Sequence, residues 1–133
     1  MGRRSIEVDG FRHGSQPIPA ASRIGNMVIT GGIHGLDPKT GKLADGAEAQ
    51  CALMFSNLRR ILVAAGASPN DVLKMTVYMK DASVRDVINK EWIAMFPDAA
   101  ARPARHSITN PHLAGDMLVQ CVVTAVIGDP ASS

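Results

Sequence analysis

A chain of 133 residues in which 46% are hydrophobic and 20% are charged has the composition of one globular domain and not of a disordered chain. The net charge is +2, the basic residues are scattered and aromatic residues make up 4%, which argues against a nucleic-acid partner. No apolar run is long enough to span a membrane and none follows the basic start, so we expect no membrane contact and no secretory signal.

The cysteines and histidines are dispersed along the chain. Cys51 and Cys121 are the two cysteines, and neither belongs to a C-x-x-C pair. This favours two reduced, buried thiols in a cytoplasmic protein over a disulfide or a thiolate metal site. No two histidines show H-x-x-x-H spacing, so we predict no metal site.

The first third of the chain is typical of short strands separated by loops. Residues 5–8 predict a short strand, and residues 9–22, which include two prolines, predict a long surface loop of the kind that often carries function. Residues 26–30 predict a strand that stops at a Gly-Gly pair. Residues 37–41, Asp-Pro-Lys-Thr-Gly, predict a turn, because Pro presets the backbone and Gly permits positive φ.

The longest helix is predicted over residues 45–65. Asp45 is a suitable N-cap residue, and Glu48 three positions later completes the pattern of a capping box. Gly66 stands where a helix commonly ends in a left-handed residue. Apolar residues at helical spacing define the face that we expect to pack on a core: Cys51, Met54, Phe55, Leu58, Leu62 and Ala65.

The second half of the chain alternates between strands and a helix. Residues 72–80 alternate in polarity as a strand does. Ser83 is the predicted cap of a helix over residues 84–96, which Pro97 ends. Residues 105–110 predict a strand that an Asn-Pro pair interrupts.

The last predicted strand, residues 117–127, is apolar on both faces. One face carries Met117, Val119, Cys121, Val123, Ala125 and Ile127, and the other carries Leu118, Gln120, Val122, Thr124 and Val126. A strand of this kind is typically buried on both sides. Because two helices can cover one face of a small sheet, we predict an α+β fold in which a second subunit covers the other face.

Four segments carry motifs in a fixed order. They are residues 25–30 (Gly-Asn-Met-Val-Ile-Thr), 37–42 (Asp-Pro-Lys-Thr-Gly-Lys), 71–81 (Asp-Val-Leu-Lys-Met-Thr-Val-Tyr-Met-Lys-Asp) and 102–105 (Arg-Pro-Ala-Arg). Together they resemble two strands, a turn and the R-P-A-R signature of the RidA/YjgF family, whose members are also known as L-PSP endoribonucleases or translation inhibitors. The resemblance covers a core of about residues 16–127 and predicts a single domain of this type over residues 1–133.

The resemblance implies a chorismate-mutase-like α+β fold, a mixed sheet with two helices on one face. It implies a homotrimer in which the sheets form a central β-barrel with clefts between subunits. It also implies an activity that needs no cofactor, the hydrolysis of reactive 2-imino and enamine acids such as 2-iminopropanoate to 2-oxo acids and ammonia. The expected ligand is therefore a small carboxylate.

Arg105 is the residue that we predict to bind the substrate carboxylate. A guanidinium stays charged and offers a planar fork that can hold a carboxylate by two hydrogen bonds. Taken alone, an arginine near the start of a strand is usually a surface charge, but its place in the R-P-A-R segment favours the carboxylate. The predicted substrate-binding residues are Arg105, Gly31, Gly32, Ile18 and Asn89, and the predicted catalytic residues are Arg105, Gln120 and Ser107.

Several positions depart from the pattern of the family's active deaminases. The water-activating Glu of the last strand corresponds to Gln120, which can hydrogen-bond a water but cannot accept its proton. The family's Cys after R-P-A-R-x corresponds to Ser107, its loop Tyr to Ile18, and the Ser before its strand-ending Gly to Gly31. Arg105 is thus retained, whereas the residues that accompany it in the family are replaced. This predicts a divergent subgroup with a different or bulkier ligand.

Two histidines have possible roles in this setting. His106 follows Arg105 and points to the opposite face of a regular strand, which favours a structural role. His34 follows the Gly31-Gly32 bend and is a hypothetical replacement proton carrier.

Three other functions are alternatives to the imine deaminase. The loss of the Glu favours a trimer that binds a small carboxylate, such as a 2-oxo acid, without catalysis. An endoribonuclease is disfavoured by the low net charge, the few aromatic residues and the lack of a catalytic His pair. A chaperone-like role that uses exposed apolar surface is a further alternative.

Overall fold

Seven strands form one mixed sheet with two helices on a single face in the computed structural model, which describes residues 2–128. Met1 and residues 129–133 of the predicted domain lie outside the described part. The strands of the sheet are β1 (Arg4–Ile6), β2 (Ala21–Ile24), β3 (Met27–Thr30), β4 (Ile33–His34), β7 (Val72–Met79), β8 (Ala104–Thr109) and β9 (Val119–Val126). A separate hairpin pairs β5 (Leu36–Asp37) with β6 (Lys42–Leu43), and the helices are α1 (Ala47–Ala64) and α2 (Arg85–Met95).

The predicted last strand lies at the centre of the sheet. The strand order is β1-β2-β3-β9-β7-β8, and β4 pairs with β9 beyond the end of β3. All of these pairs are antiparallel except β7 and β8, which α2 connects in parallel. The predicted α+β fold, with a mixed sheet and two helices on one face, is therefore confirmed.

The core lies between the sheet and α1. On β9 the side chains of Val119, Cys121, Val123 and Ala125 are buried, and they meet the predicted apolar face of the helix. Cys51 and Cys121 are buried free thiols, as predicted. Burial, followed by the nearby Glu91 carboxylate, raises the pKa of the Cys51 thiol to about 12, so this thiol stays protonated at neutral pH.

The face of the sheet away from the helices is apolar, and much of it is not covered by residues 2–128. We call it the open face; its residues include Ile24, Met27, Ile29, Val122, Thr124 and Val126. Met27 is 48% exposed and Ile29 is 51% exposed, while the β9 side chains on this face are half-buried. Within one chain, the predicted burial of β9 is therefore complete only on the face that the helices cover.

The helix ends differ from the predictions at two caps. Asp45 is not the N-cap of α1, because the helix begins one residue later behind Gly46, whose φ of 90° breaks the capping geometry. Ser83 is not the cap of α2 either; the Asp81 side chain accepts a hydrogen bond from the Ser83 backbone N–H at 2.9 Å and caps the 3₁₀ turn that precedes α2. The predicted end at Gly66 is confirmed, with φ +82° and the bonds of a Schellman motif.

The N-terminal segment holds more strand than predicted. β1 covers residues 4–6 and not 5–8, and β2 occupies the end of the predicted loop 9–22. Each strand is short and is stabilised by pairing with a neighbouring strand, and the local sequence pattern does not reveal that pairing. The predicted turn at 37–41 is confirmed as the loop of the β5–β6 hairpin, where Gly41 has φ +71° and its N–H donates to Asp37 O at 2.8 Å.

Gly35→Ala is expected to destabilise the fold strongly. A Cβ at Gly35 would lie 2.5 Å from both the Cα and the carbonyl O of Gln50, in the backbone of α1. The buried Gln50 is fixed by bonds to Ala44 O, Asp116 O and Leu118 N, so α1 has little room to retreat. We expect a loss of about 3 kcal/mol in the free energy of unfolding, measured by urea denaturation. Gly128→Ala is the matched control, because a Cβ there meets no described residue within 4 Å.

Candidate functional site

Arg105 lies on edge strand β8 and points to the helix side of the sheet. The parallel register places Arg105 beside the buried Met75, so both side chains share the face that α2 covers. Its guanidinium carbon lies 4.9 Å from the centroid of the Trp92 ring, and Nη2 donates to Asn89 Oδ1 at 2.7 Å. A cation–π contact and a hydrogen bond from one helix therefore hold the guanidinium in place.

The guanidinium of Arg105 has capacity for a further partner. Its Nη1 is buried and has no hydrogen-bond partner among the described residues. Burial, followed by the charge of nearby Arg85, lowers the pKa of Arg105, although a guanidinium stays charged at neutral pH. Ser107 lies two residues along β8 on the same face. An anion at this point would satisfy Nη1 and offset the cost of burying the cation.

Gln120 lies on the opposite face of the sheet. On β9 it is paired with His34 of β4 on one side and with Tyr78 of β7 on the other. A Cβ added to Gly32 would lie 2.5 Å from Gln120 Nε2, so the amide side chain lies directly on the Gly32 backbone. The Gly-Gly bend thus leaves the space that the Gln120 side chain occupies.

Two rings from the N-terminal loop, those of Phe11 and His13, lie next to the His34 ring. The Phe11 ring centroid lies 5.1 Å from that of His34 and 5.4 Å from that of His13, and the two imidazole centroids are 6.1 Å apart. His13 Nε2 lies 2.5 Å from Gly32 O, which ties the loop to the bend. Burial, followed by the charge of His13, lowers the pKa of His34 below its ordinary 6.5, so the imidazole is neutral at pH 7.

A cavity of about 630 Å³, which we call the Gln120 cavity, opens beside these groups. Arg12, His13, His34 and Gln120 are among its lining residues. A neighbouring cavity of about 500 Å³ is lined by Ile18 and shares Arg12 and His13 with the first. The long loop predicted to carry function therefore forms one wall of both cavities.

The predicted site residues fall into two groups within one chain. Arg105, Asn89 and Ser107 lie together on the helix side, whereas Gln120 and Gly32 lie together on the other side, with Ile18 in the adjacent cavity. The strand β7 separates the two groups.

Part of the backbone of the Gly31-Gly32 bend already makes hydrogen bonds within the chain. Gly31 N–H donates to Ala20 O at 2.9 Å, and Gly32 O contacts His13. His106 points away from Arg105, as predicted, and is exposed beside Thr76. The sequence did not identify Trp92, Arg85 or His13 as site residues, because tertiary contacts between distant segments bring them to the site.

Residues 2–128 contain no helix long and apolar enough to cross a membrane. They also contain no group of three or more His, Cys, Asp or Glu side chains placed to hold a metal ion.

Comparison with known proteins gives consistent matches over most of the chain. The model of the family described as Endoribonuclease L-PSP matches residues 15–127. The 2-iminobutanoate/2-iminopropanoate deaminase of Salmonella typhimurium is 35% identical over 104 residues, which are 77% of this chain and 81% of that protein.

Solved structures show the same similarity. RidA from a Psychrobacter species superposes with a TM-score of 0.85 at 31% identity, covering 93% of this chain and 99% of that one. Escherichia coli TdcF with bound serine superposes with a TM-score of 0.85 at 28% identity, covering 94% and 99%. The family model, the identity to a curated relative and the superposed folds agree, and the chain therefore belongs to the RidA/YjgF family.

Proposed function

We propose that the protein hydrolyses small 2-imino acids, such as 2-iminopropanoate, to 2-oxo acids and ammonia. The relative from Salmonella typhimurium that is named for this activity supports the proposal. The relative TdcF with bound serine, a small amino acid that carries a carboxylate, supports a ligand of this class. No cofactor takes part in the proposed reaction.

The observation that carries the proposal is the geometry of Arg105. The guanidinium is held by Trp92 and Asn89, and its Nη1 is buried without a partner among the described residues. Such a preorganised donor is suited to a carboxylate, because the cost of fixing the side chain is met before the ligand arrives. Neither the neutral imidazole of His34 nor the amide of Gln120 carries the positive charge that attracts a carboxylate.

The proposed site requires a second copy of the chain. Arg105 and Gln120 lie on opposite faces of the sheet, so one subunit does not direct both at the same small molecule. We place the cleft between neighbouring subunits of a homotrimer, with Arg105 from one and the Gln120 cavity from the next. The exposed apolar open face, which includes Met27 and Ile29, supports an assembly of this kind.

The proposed chemistry needs positioning more than a strong nucleophile, since an imine carbon is already electrophilic. Arg105 holds the carboxylate, and Ser107 and Gln120 orient the imine and a water. The water oxygen bonds to the imine carbon and loses one proton, while the C=N electron pair moves to nitrogen, which gains one proton. The C–N bond of the resulting carbinolamine then breaks: the hydroxyl loses its proton to form the 2-oxo acid, and the nitrogen gains a proton and leaves as ammonia.

The direct test follows freshly generated 2-iminopropanoate in the presence of the wild-type protein. We expect the imine to disappear faster than in buffer, with ammonia and pyruvate formed in equal amounts. A rate equal to that of buffer at saturating protein would contradict the proposal.

A trimer that binds 2-oxo acids without turnover is the second candidate, and Gln120 is the observation that favours it. An amide cannot accept a proton from water. In that case wild type binds 2-oxobutanoate by calorimetry but leaves the imine untouched, and Gln120→Glu creates turnover. Under the deaminase proposal, Gln120→Glu changes an existing rate by less than about tenfold, because wild type already activates the water.

A further inference from the structure

The Gln120 cavity contains an imidazole that faces the amide of Gln120. The β4–β9 register pairs His34 with Gln120, which places both side chains on the same face of adjacent strands. Both line the cavity, and Gly32 beneath Gln120 leaves the amide in contact with the backbone. A titratable group therefore lies next to the position where the family's carboxylate is missing.

The protein holds His34 in a defined position. Asn57 Nδ2 from α1 donates to His34 O at 3.0 Å, which fixes the backbone of β4, and the Phe11 ring packs on the imidazole. His34 Nδ1 is buried and has no hydrogen-bond partner among the described residues. The ring is thus ordered by packing. Its other nitrogen, Nε2, is not buried in this way and has no hydrogen bond to a described residue, so Nε2 is the atom that can exchange a proton with a water in the cavity.

The charges around His34 favour its neutral form. Arg12 and His13 of the N-terminal loop are the charged or titratable groups that line the cavity with it, β9 contributes the neutral Gln120, and α1 contributes the neutral Asn57. The described lining contains no carboxylate. Burial and then His13 lower the pKa of His34, which leaves a free base at neutral pH.

We propose that His34 accepts the proton of the attacking water and delivers a proton to the departing nitrogen, in place of the carboxylate that Gln120 does not supply. The inference rests on the proposed imine hydrolysis. Gln120 then orients the water by hydrogen bonding, and His34 performs the proton transfer. His34 takes one proton from the water as its oxygen bonds to carbon and passes it to the imine nitrogen, which gives the carbinolamine. It then takes the proton of the hydroxyl and passes it to the nitrogen as the C–N bond breaks, so ammonia leaves and His34 ends the cycle neutral.

The test is the pH dependence of 2-iminopropanoate hydrolysis above the buffer rate, from about pH 5 to about pH 8. We expect the wild-type rate to fall at low pH as His34 becomes protonated, with a midpoint that matches the titration of the His34 ring observed by NMR. His34→Asn should lower kcat about 100-fold and abolish this acid limb. His13→Asn should move the limb to higher pH, because removing the His13 charge raises the pKa of His34.

His112→Asn, at an exposed loop position, is the matched control and should change neither kcat nor the limb. A wild-type rate that stays flat through the pH at which NMR shows the His34 ring to titrate overturns the role of His34 and leaves the deaminase proposal intact. This comparison needs no variant. The same conclusion follows if a folded His34→Asn protein keeps the wild-type profile. If wild type does not accelerate hydrolysis at all, the proposed function fails, and the role of His34 fails with it.

Discussion

Arg105→Ala is expected to lower kcat/KM for 2-iminopropanoate about 100-fold. The substitution removes the two charge-assisted hydrogen bonds that a guanidinium can make to a carboxylate, which corresponds to about 3 kcal/mol. Arg105→Lys should recover only part of the rate, because an ammonium keeps the charge but not the planar fork or the stacking on Trp92. The measurement is imine disappearance with subtraction of the buffer rate.

The controls for this experiment separate binding from folding. Arg59→Ala removes an exposed arginine on α1 and should leave kcat/KM unchanged. Asn89→Ala removes the acceptor that holds Arg105 Nη2 and should raise KM more than it lowers kcat, because the guanidinium is less well positioned. Full activity in a folded Arg105→Ala protein would refute the assignment of Arg105 to the carboxylate.

Ile29→Asp is expected to dissociate the proposed trimer and to abolish hydrolysis at the same time. Ile29 is 51% exposed on the open face of one chain, so a carboxylate there costs little in an isolated subunit. Buried between subunits, an unpaired carboxylate costs about 4 kcal/mol at each copy, which is about a 1000-fold loss in association. Light scattering coupled to size-exclusion chromatography measures the mass, and the imine assay measures the activity.

Ile93→Asp provides the matched control for the open face. Ile93 is 53% exposed on α2, on the other side of the sheet, so the same substitution should leave mass and activity unchanged. Loss of the assembly with full retention of activity would show that one subunit carries a complete site. An unchanged mass for Ile29→Asp would show that the open face is not the interface.

The elements with regular periodicity could be predicted from the sequence. The helix that became α1, the alternating strand β7 and the central strand β9 each show their burial pattern over several residues. Gly66 was predictable as a helix end because a left-handed residue favours glycine. The strands β2 and β4 were not, since each has few residues and exists through hydrogen bonds to partners elsewhere in the chain.

For the site, the sequence alone showed the residue types: the second arginine of an R-P-A-R segment, a glutamine in the last strand and a histidine after the Gly-Gly bend. Their grouping was decided by the tertiary structure alone. The parallel register of β7 and β8 directs Arg105 to Trp92 and Asn89, while the antiparallel register of β4 and β9 directs His34 to Gln120. Because side chains alternate between the faces of a sheet, register and not order along the chain sets the face on which each group acts.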